Sequence, residues 1–195
     1  VDQLHPKHIT KKTTISTLDE RYSQDITKGN FAKLEKTTFL KACIEKGIQT
    51  IDPRPKKLES LFDTAKRFDS ALKHWHITHE KGVVIATVGV GSDIHTAGIL
   101  PMPDDTEAFT GLFLNSNKCA VGHNLAPEQN PHSERITVTL SYFLRHIDHA
   151  VIYATGIQKK DALTATVHAK PDYPKMPATV LQNVADATLF TDISV

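Results

Sequence analysis

The sequence has little cysteine, no long apolar run and no excess of charge of either sign. Its two cysteines, Cys43 and Cys119, are too few for a disulfide framework and lack the C-x-x-C spacing of redox and zinc motifs. Lysine and arginine number 23 against 22 for aspartate and glutamate, which argues against nucleic acid or an anionic membrane as a partner. No apolar run reaches the roughly 18 residues that a transmembrane helix needs. Together these features predict a cytoplasmic protein.

The chain has enough residues and apolar content for one folded domain. Its 195 residues are 39% hydrophobic and 23% charged, which predicts a single domain over residues 1–195 with a substantial core. The N-terminus lacks the basic and apolar regions of a signal peptide. The chain begins at Val1 and enters a strand-like run by Thr13, so we expect a processed or incomplete N-terminus.

Strand and helix signals alternate along the chain. The predicted strands cover residues 13–18, 83–88, 111–114, 119–121, 135–140, 149–155 and 188–191. The predicted helices cover residues 31–46, 58–75, 141–146 and 158–168. The first of them is expected to end at Gly47. This alternation is typical of an α/β fold with a mainly parallel sheet and helices on both faces.

Three polar clusters follow predicted strands, where α/β sheets usually bind their ligands. They are residues 19–21 (DER), residues 93–96 (DIHT) and residues 155–159 (TGIQK). An imidazole such as His95 titrates near neutrality and a nearby carboxylate can orient it, which favours acid–base chemistry. Taken alone, the first cluster also fits a solvated turn, and the third fits a strand-to-helix turn with Lys159 on the surface.

The eleven histidines raise the alternative of a metal site. Five of them form two groups in the sequence: His74, His76 and His79, and His146 with His149. Neither group has a zinc signature with a supporting carboxylate or thiolate, so we expect solvated or helix-end histidines and no metal. Cys119 and His123 suggest a thiol nucleophile on spacing alone, and we interpret Cys119 as a buried strand residue.

The most specific resemblance to a known family lies in the loop at residues 89–101, GVGSDIHTAGILP. It resembles the signature loop of 6-phosphogluconolactonases, commonly G-x-G-x-D-G-H-T-A-S-L-F-P. Other segments resemble that family's elements in the same order along nearly the whole chain: LDERY at 18–22, GNF at 29–31, ERITVTL at 134–140, TGIQK at 155–159 and PATVL at 177–181.

The resemblance implies a Rossmann-like three-layer sandwich of the sugar-phosphate isomerase/lactonase type. It also implies hydrolysis of 6-phospho-D-glucono-1,5-lactone to 6-phosphogluconate, the second step of the oxidative pentose phosphate pathway, with no metal or organic cofactor.

In this interpretation His95 is the general base and Asp93 orients it. The residues expected to bind substrate are Asp19, Arg21, Asn30, Gly91, Arg135 and Lys159, with Arg21 at the substrate or oxyanion and Arg135 and Lys159 at the phosphate. Without a substrate role, Asp19 and Arg21 would only pair with each other, and Asn30 would only cap a helix.

The sequence departs from the family pattern at several positions. Ile94 stands where the pattern has glycine, and a β-branched residue would be strained there if the backbone φ angle were positive. Gly98 and Leu100 replace the common serine and phenylalanine. The family's N-terminal strand and its G-G-S-T-P phosphate loop have no counterpart before Val1.

Two alternative functions stay open at this point. Glucosamine-6-phosphate deaminases share the fold but continue D-G-H-I-A-F-N-E-P, and Leu100 stands where that pattern places its catalytic glutamate, which favours the lactonase. A non-catalytic sugar-phosphate sensor is the other alternative, since related domains occur in transcriptional regulators, although no DNA-binding segment is visible. The sequence leaves open whether the chain forms a homo-oligomer.

Overall fold

The computed structural model describes residues 9–115, 117–124 and 133–195, in which eight strands and six α-helices are found. The strands are β1 (Thr14–Ser16), β2 (Asp19–Arg21), β3 (Gln49–Ile51), β4 (Ile85–Val88), β5 (Ala120–Asn124), β6 (Glu134–Val138), β7 (His149–Tyr153) and β8 (Asp186–Phe190). The helices are α1 (Asn30–Glu35), α2 (Thr38–Glu45), α3 (Leu61–Thr78), α4 (Thr106–Phe113), α5 (Leu140–His146) and α6 (Lys160–His168). Short 3-10 helices cover Ile157–Lys159 and Pro177–Asn183.

The strands form parallel and antiparallel groups. Strands β4, β7 and β8 pair in parallel in the order β4-β7-β8, and β1 pairs in parallel with β3. Strands β2, β6 and β5 form an antiparallel sheet in that order. The predicted α/β class, with parallel strands and helices, is confirmed. The sequence did not predict the antiparallel sheet, because the polar triplet 19–21 was expected at the end of a strand and forms the strand β2 itself.

Helix α3 provides much of the packing for the antiparallel sheet. Its buried apolar residues recur at spacings of three and four: Leu61, Ala65, Phe68 and Leu72. The helix packs against β5 and β6. It begins later than predicted, because Ser60 caps its first turn by accepting the backbone N–H of Asp63, while Leu58 lies outside the helix and is 89% exposed.

The single helix predicted over residues 31–46 is wrong, because the chain forms α1 and α2 there. Thr37 separates them in an extended conformation, with φ −72° and ψ 148°. Its hydroxyl donates to the carbonyl of Leu34 at 2.6 Å and accepts the N–H of Leu40 at 3.2 Å. One threonine side chain therefore ends α1 and caps the start of α2.

The strand predicted at residues 111–114 is also wrong, because these residues end helix α4. The Asp105 carboxylate accepts the N–H of Ala108 at 3.0 Å and caps the helix. Phe109 and Phe113 are both buried one turn apart, with ring centroids 5.0 Å apart. A short apolar run is compatible with a strand and with a helix. Here the cap at Asp105 favours the helix.

Cys119 is buried, as predicted, but it lies one residue before β5 and not in the strand itself. Its N–H donates to the buried carboxylate of Asp69 at 2.6 Å, and burial raises the pKa of its thiol to about 11. Such a thiol is protonated near neutrality, so the structure argues against a thiolate nucleophile. No helix in the described ranges combines the length and apolar character that crossing a bilayer requires.

Candidate active site

The loop at residues 89–101, which we call the Asp93–His95 loop, leaves the carboxyl end of β4. Strand β7 runs parallel to β4, with Val88 opposite Ile152. The loop after β4 and the turn after β7 therefore leave the same edge of the sheet. This edge carries two of the three polar clusters found in the sequence.

Asp93 and His95 form a close pair within this loop. Nδ1 of His95 lies 2.5 Å from Oδ1 of Asp93, and the same oxygen accepts the backbone N–H of His95 at 3.3 Å. A carboxylate only accepts hydrogen bonds, so Nδ1 is the donor, and in the neutral imidazole Nε2 keeps a lone pair. The side chain of His95 is 37% exposed and that of Asp93 is 49% exposed, so both are accessible to a ligand.

Gly91 shapes the loop around this pair. A Cβ atom at this position would overlap Nδ1 of His95, so no larger residue fits without moving the imidazole. The N–H of Gly91 donates to the carbonyl of His95 at 2.9 Å, and its own carbonyl accepts the N–H of Ile94 at 3.0 Å. These two hydrogen bonds of Gly91 stabilise the backbone around His95. The substrate contact expected for Gly91 stays a prediction.

Ile94, which departs from the glycine of the family pattern, has a left-handed backbone conformation. Its φ angle is +65°, a conformation that favours glycine and strains a β-branched side chain. Its carbonyl accepts the N–H of Ala178 at 3.0 Å, so the PATVL segment holds the strained residue from outside the loop. The side chain also packs against the main core.

Replacing Ile94 by glycine and by alanine should separate strain from packing. Both variants lose the isoleucine side chain, but only alanine keeps a Cβ at positive φ, so Ile94→Gly should be more stable than Ile94→Ala by about 1 kcal/mol. Urea unfolding of the two variants checks this. At exposed Ser70 in α3 the order should reverse, with Ser70→Ala about 1 kcal/mol more stable than Ser70→Gly. An alanine variant at position 94 that equals or exceeds the glycine variant would contradict the strain.

The second part of the site is a group of four polar residues that we call the Asp19 cluster: Asp19, Arg21, Asn30 and Arg135. In the antiparallel register Arg21 lies opposite Arg135, so the two side chains share one face of the sheet with Asp19. Oδ2 of Asp19 lies 3.4 Å from a guanidinium nitrogen of Arg135 and accepts the side-chain amide of Asn30 at 3.1 Å. The alternative role of Asn30 as a helix cap is absent from the described contacts, in which its side-chain amide donates to Asp19.

The charges of this cluster lie in a largely buried environment. Burial raises the pKa of Asp19 and outweighs the opposing effect of the Arg135 charge. Burial likewise lowers the pKa of Arg135, although Asp19 favours its charged form. The positive charge of Arg21 acts on both residues, lowering the pKa of each. A bound anion would therefore meet two arginines in a region of low dielectric, where electrostatic attraction is strong.

The Asp93–His95 loop packs against the Asp19 cluster. A methyl group placed on Gly98 would lie 3.2 Å from Cβ of Asp19 and 3.1 Å from Cβ of Thr137. In its protonated form His95 acts to lower the pKa of Asp19, because the two parts lie within electrostatic range. The structure thus brings together Asp93, His95, Gly91, Asp19, Arg21, Asn30 and Arg135.

Lys159 occupies a separate position among the predicted residues. It ends the 3-10 helix Ile157–Lys159 that follows β7, at the sheet edge shared with the Asp93–His95 loop. The turn before it is fixed by the N–H of Gly156, which donates to Asp192 at 2.9 Å. Within residues 9–115, 117–124 and 133–195, no hydrogen bond or ion pair joins Lys159 to the other candidates, so its phosphate contact stays a prediction.

Glu20 supports the site and was missed as a functional candidate in the sequence. Its side chain is fully buried, and its carboxylate accepts the N–H groups of Arg21, Asn30 and Phe31 at 2.7, 2.5 and 2.7 Å. It thereby stabilises the start of α1, where backbone N–H groups lack helical partners. Strand alternation was the available signal, because it places Glu20 on the face opposite Asp19 and Arg21.

His123 of β5 is the second residue whose position the sequence did not reveal. It is 4% exposed, and its Nε2 donates to the carbonyl of Gly98 at 3.0 Å. Burial lowers its pKa to about 4, assisted by the charge of Arg135 and opposed by the Gly98 carbonyl. The imidazole is therefore neutral near neutrality, with the proton on Nε2.

The buried His123 should make the stability of the protein depend on pH. Its folded-state pKa lies below the ordinary value, so the unfolded chain takes up this proton first as the pH falls. The free energy of unfolding should lose roughly 2 kcal/mol from this residue between about pH 7 and about pH 5. Urea titrations should show that His123→Gln lacks this contribution. An identical pH dependence in the variant and the wild type would contradict it.

The histidine groups that suggested a metal site do not assemble one in the described part of the chain. No group of three or more histidine, cysteine, aspartate or glutamate side chains is placed to hold a metal ion there. The rings of His76 and His146 have centroids 4.1 Å apart and planes tilted by 30°, and burial lowers the pKa of both. His149 pairs with Asp186 at 2.7 Å on neighbouring strands.

Comparison with known families decides the family of the chain. The family model described as glucosamine-6-phosphate isomerases/6-phosphogluconolactonase matches residues 2–190. The chain belongs to this family. A comparison with curated protein sequences finds no match.

Solved structures of 6-phosphogluconolactonases share the fold of this family member. The enzyme from Plasmodium vivax superposes with a TM-score of 0.70 at 16% identity, over 90% of this chain and 67% of that one. The Thermotoga maritima structure gives 0.65 at 19% identity, over 90% of this chain and 71% of that one. The Shewanella baltica structure gives 0.63 at 19% identity, over 93% and 72%. The expected α/β architecture of the family is thereby confirmed.

Proposed function

We propose that the chain hydrolyses 6-phospho-D-glucono-1,5-lactone to 6-phosphogluconate, as a cytoplasmic step of the oxidative pentose phosphate pathway. The observation that supports this most is the packing of the Asp93–His95 loop on the Asp19 cluster through Gly98. In this arrangement His95 acts beside Arg135, which is buried, and Arg21, which is partly exposed. Lactone hydrolysis with a phosphorylated substrate needs that combination of a base and anion-binding groups.

His95 is the general base in this proposal. Its Nε2 takes a proton from water as the water oxygen bonds to the lactone carbonyl carbon, and Asp93 stabilises the resulting imidazolium through Nδ1–H. The tetrahedral intermediate then collapses, the bond from carbon to the ring oxygen breaks, and the ring oxygen receives the proton from His95. The products are a new hydroxyl group and a carboxylic acid, which loses its proton to solvent and becomes the carboxylate of 6-phosphogluconate.

The arginines bind the oxygen-rich substrate. Arg21 is assigned to the oxyanion or a neighbouring substrate oxygen, and Arg135 to the phosphate with Lys159. Asp19 holds Arg135 and Asn30 through contacts of 3.4 and 3.1 Å to its Oδ2. We assign Asp19 and Asn30 to substrate hydroxyl groups as well, with Gly91 leaving room beside His95.

Leu100 argues against the deaminase alternative. This residue stands where the deaminase pattern has its glutamate, and it is a buried aliphatic side chain, 6% exposed. Leucine supplies no group for proton transfer. The substrate class of this site is therefore a lactone ester in our proposal.

Three measurements on the wild-type chain test the proposal. Formation of 6-phosphogluconate from the lactone should exceed the spontaneous rate, whereas ammonia release from glucosamine 6-phosphate should stay at background. Calorimetry should detect binding of 6-phosphogluconate. Binding without any acceleration of lactone hydrolysis would refute the enzyme and favour the sensor alternative, and ammonia release would favour the deaminase.

A further inference from the structure

We propose that His123 is a positioning residue that holds the Asp93–His95 loop in its working conformation, an inference that rests on the function proposed above. His123 belongs to β5 and lies outside the loop. Its Nε2 donates to the Gly98 carbonyl at 3.0 Å, while Oγ1 of Thr137 accepts the Gly98 N–H at 3.2 Å. Both polar groups of the Gly98 backbone are thus bound by side chains of the antiparallel sheet.

The residue before Gly98 shows why this hold is needed. Ala97 has a φ angle of +49°, a left-handed conformation that a residue with a Cβ rarely adopts. Such a conformation persists only where the surrounding contacts determine it. The Thr137 contact fixes the peptide between Ala97 and Gly98, and the His123 contact fixes the next peptide, which contains the Gly98 carbonyl and the Ile99 N–H.

The same turn is connected directly to His95. The N–H of Ile99 donates to the carbonyl of Thr96 at 3.0 Å, and the buried Thr96 hydroxyl donates to the carbonyl of Gly89 at 3.1 Å. Thr96 is the residue next to His95. A change at Ala97 and Gly98 therefore reaches the backbone that orients the His95 imidazole.

Packing alone does not explain a histidine at position 123. Its Nδ1 is buried and has no hydrogen-bond partner within the described part of the chain, which is unfavourable for a polar atom. The ring packs at right angles against Phe113 with centroids 5.0 Å apart, a contact that an apolar side chain could also make. The contact that only a donor supplies is the one to Gly98.

Two variants separate the donor from the packing. His123→Leu removes the donor and keeps an apolar side chain, whereas His123→Gln keeps an N–H that can reach the Gly98 carbonyl. We expect His123→Leu to lower kcat about tenfold with KM changed less than about twofold, because misplacing a catalytic group slows the chemical step. His123→Gln should retain kcat within about threefold of the wild type. Equal and wild-type kcat values for both variants would overturn the positioning role.

A second readout does not depend on hydrolysis. The imidazole ¹⁵N signals of His95 should shift in His123→Leu and stay near their wild-type positions in His123→Gln. If these shifts occur but the wild type does not hydrolyse the lactone, the positioning role stands and the proposed function fails. If His95 is unperturbed in His123→Leu, the positioning role fails. Should His123→Leu not fold, Thr137→Val removes the other contact to Gly98 and should shift the same signals, and unchanged signals would again overturn the role.

Discussion

Replacing His95 by alanine should lower kcat for lactone hydrolysis about 10²–10⁴-fold, the usual contribution of a general base. The reason is that His95 holds its proton on Nδ1, toward Asp93, and leaves Nε2 to accept a proton from water. KM should change little, because the imidazole acts mainly in the transition state. Steady-state kinetics of the purified variant measure both constants.

A second histidine–carboxylate pair provides a matched control for this prediction. His149 and Asp186 make a 2.7 Å contact, but they lie at the start of β7 and β8, away from the carboxyl ends of these strands. His149→Ala should therefore leave kcat unchanged. The assignment of His95 would be wrong if His95→Ala kept the wild-type rate or if both variants lost activity equally.

Replacing Glu20 by alanine should lower the free energy of unfolding by about 3–5 kcal/mol. Its buried carboxylate accepts three backbone N–H groups, and alanine would leave all three without this partner. The start of α1 would be affected first, and with it Asn30, which binds Asp19. Chemical denaturation of the variant measures the loss.

The exposed Glu107 in the first turn of α4 is a suitable control for Glu20. It also lies at a helix start, but its side chain is exposed to solvent. Glu107→Ala should change the free energy of unfolding by less than about 1 kcal/mol. Similar losses for the two variants would show that Glu20 acts only as a surface charge, contrary to its buried position.

The parts of the structure that the sequence predicts well are those set by local spacing. Helix α3 follows from apolar residues three and four apart, and the Asp93–His95 pair follows from two residues in one short loop. The strain at Ile94 was expected from a single departure from the family pattern. In each case the residues that interact lie close together in the sequence.

The parts that the sequence did not predict depend on distant contacts or on a single capping side chain. Glu20 accepts hydrogen bonds from the start of α1, ten residues further along the chain. His123 contacts Gly98 only because the fold places β5 beside the Asp93–His95 loop. Thr37 breaks a run of helix-forming residues through two hydrogen bonds of one hydroxyl. Periodicity does not report such contacts, because it describes which face a residue occupies and not which atom it meets.

The central claim is that the Asp93–His95 loop and the Asp19 cluster bind the same sugar phosphate. Titrating the wild-type protein with 6-phosphogluconate, while recording the side-chain nitrogen signals of His95 and Arg135, tests it most directly. We predict that both signals follow one binding curve with a single Kd, while the signals of His149 stay constant. Separate curves, or a response of only one of the two residues, would contradict a shared site.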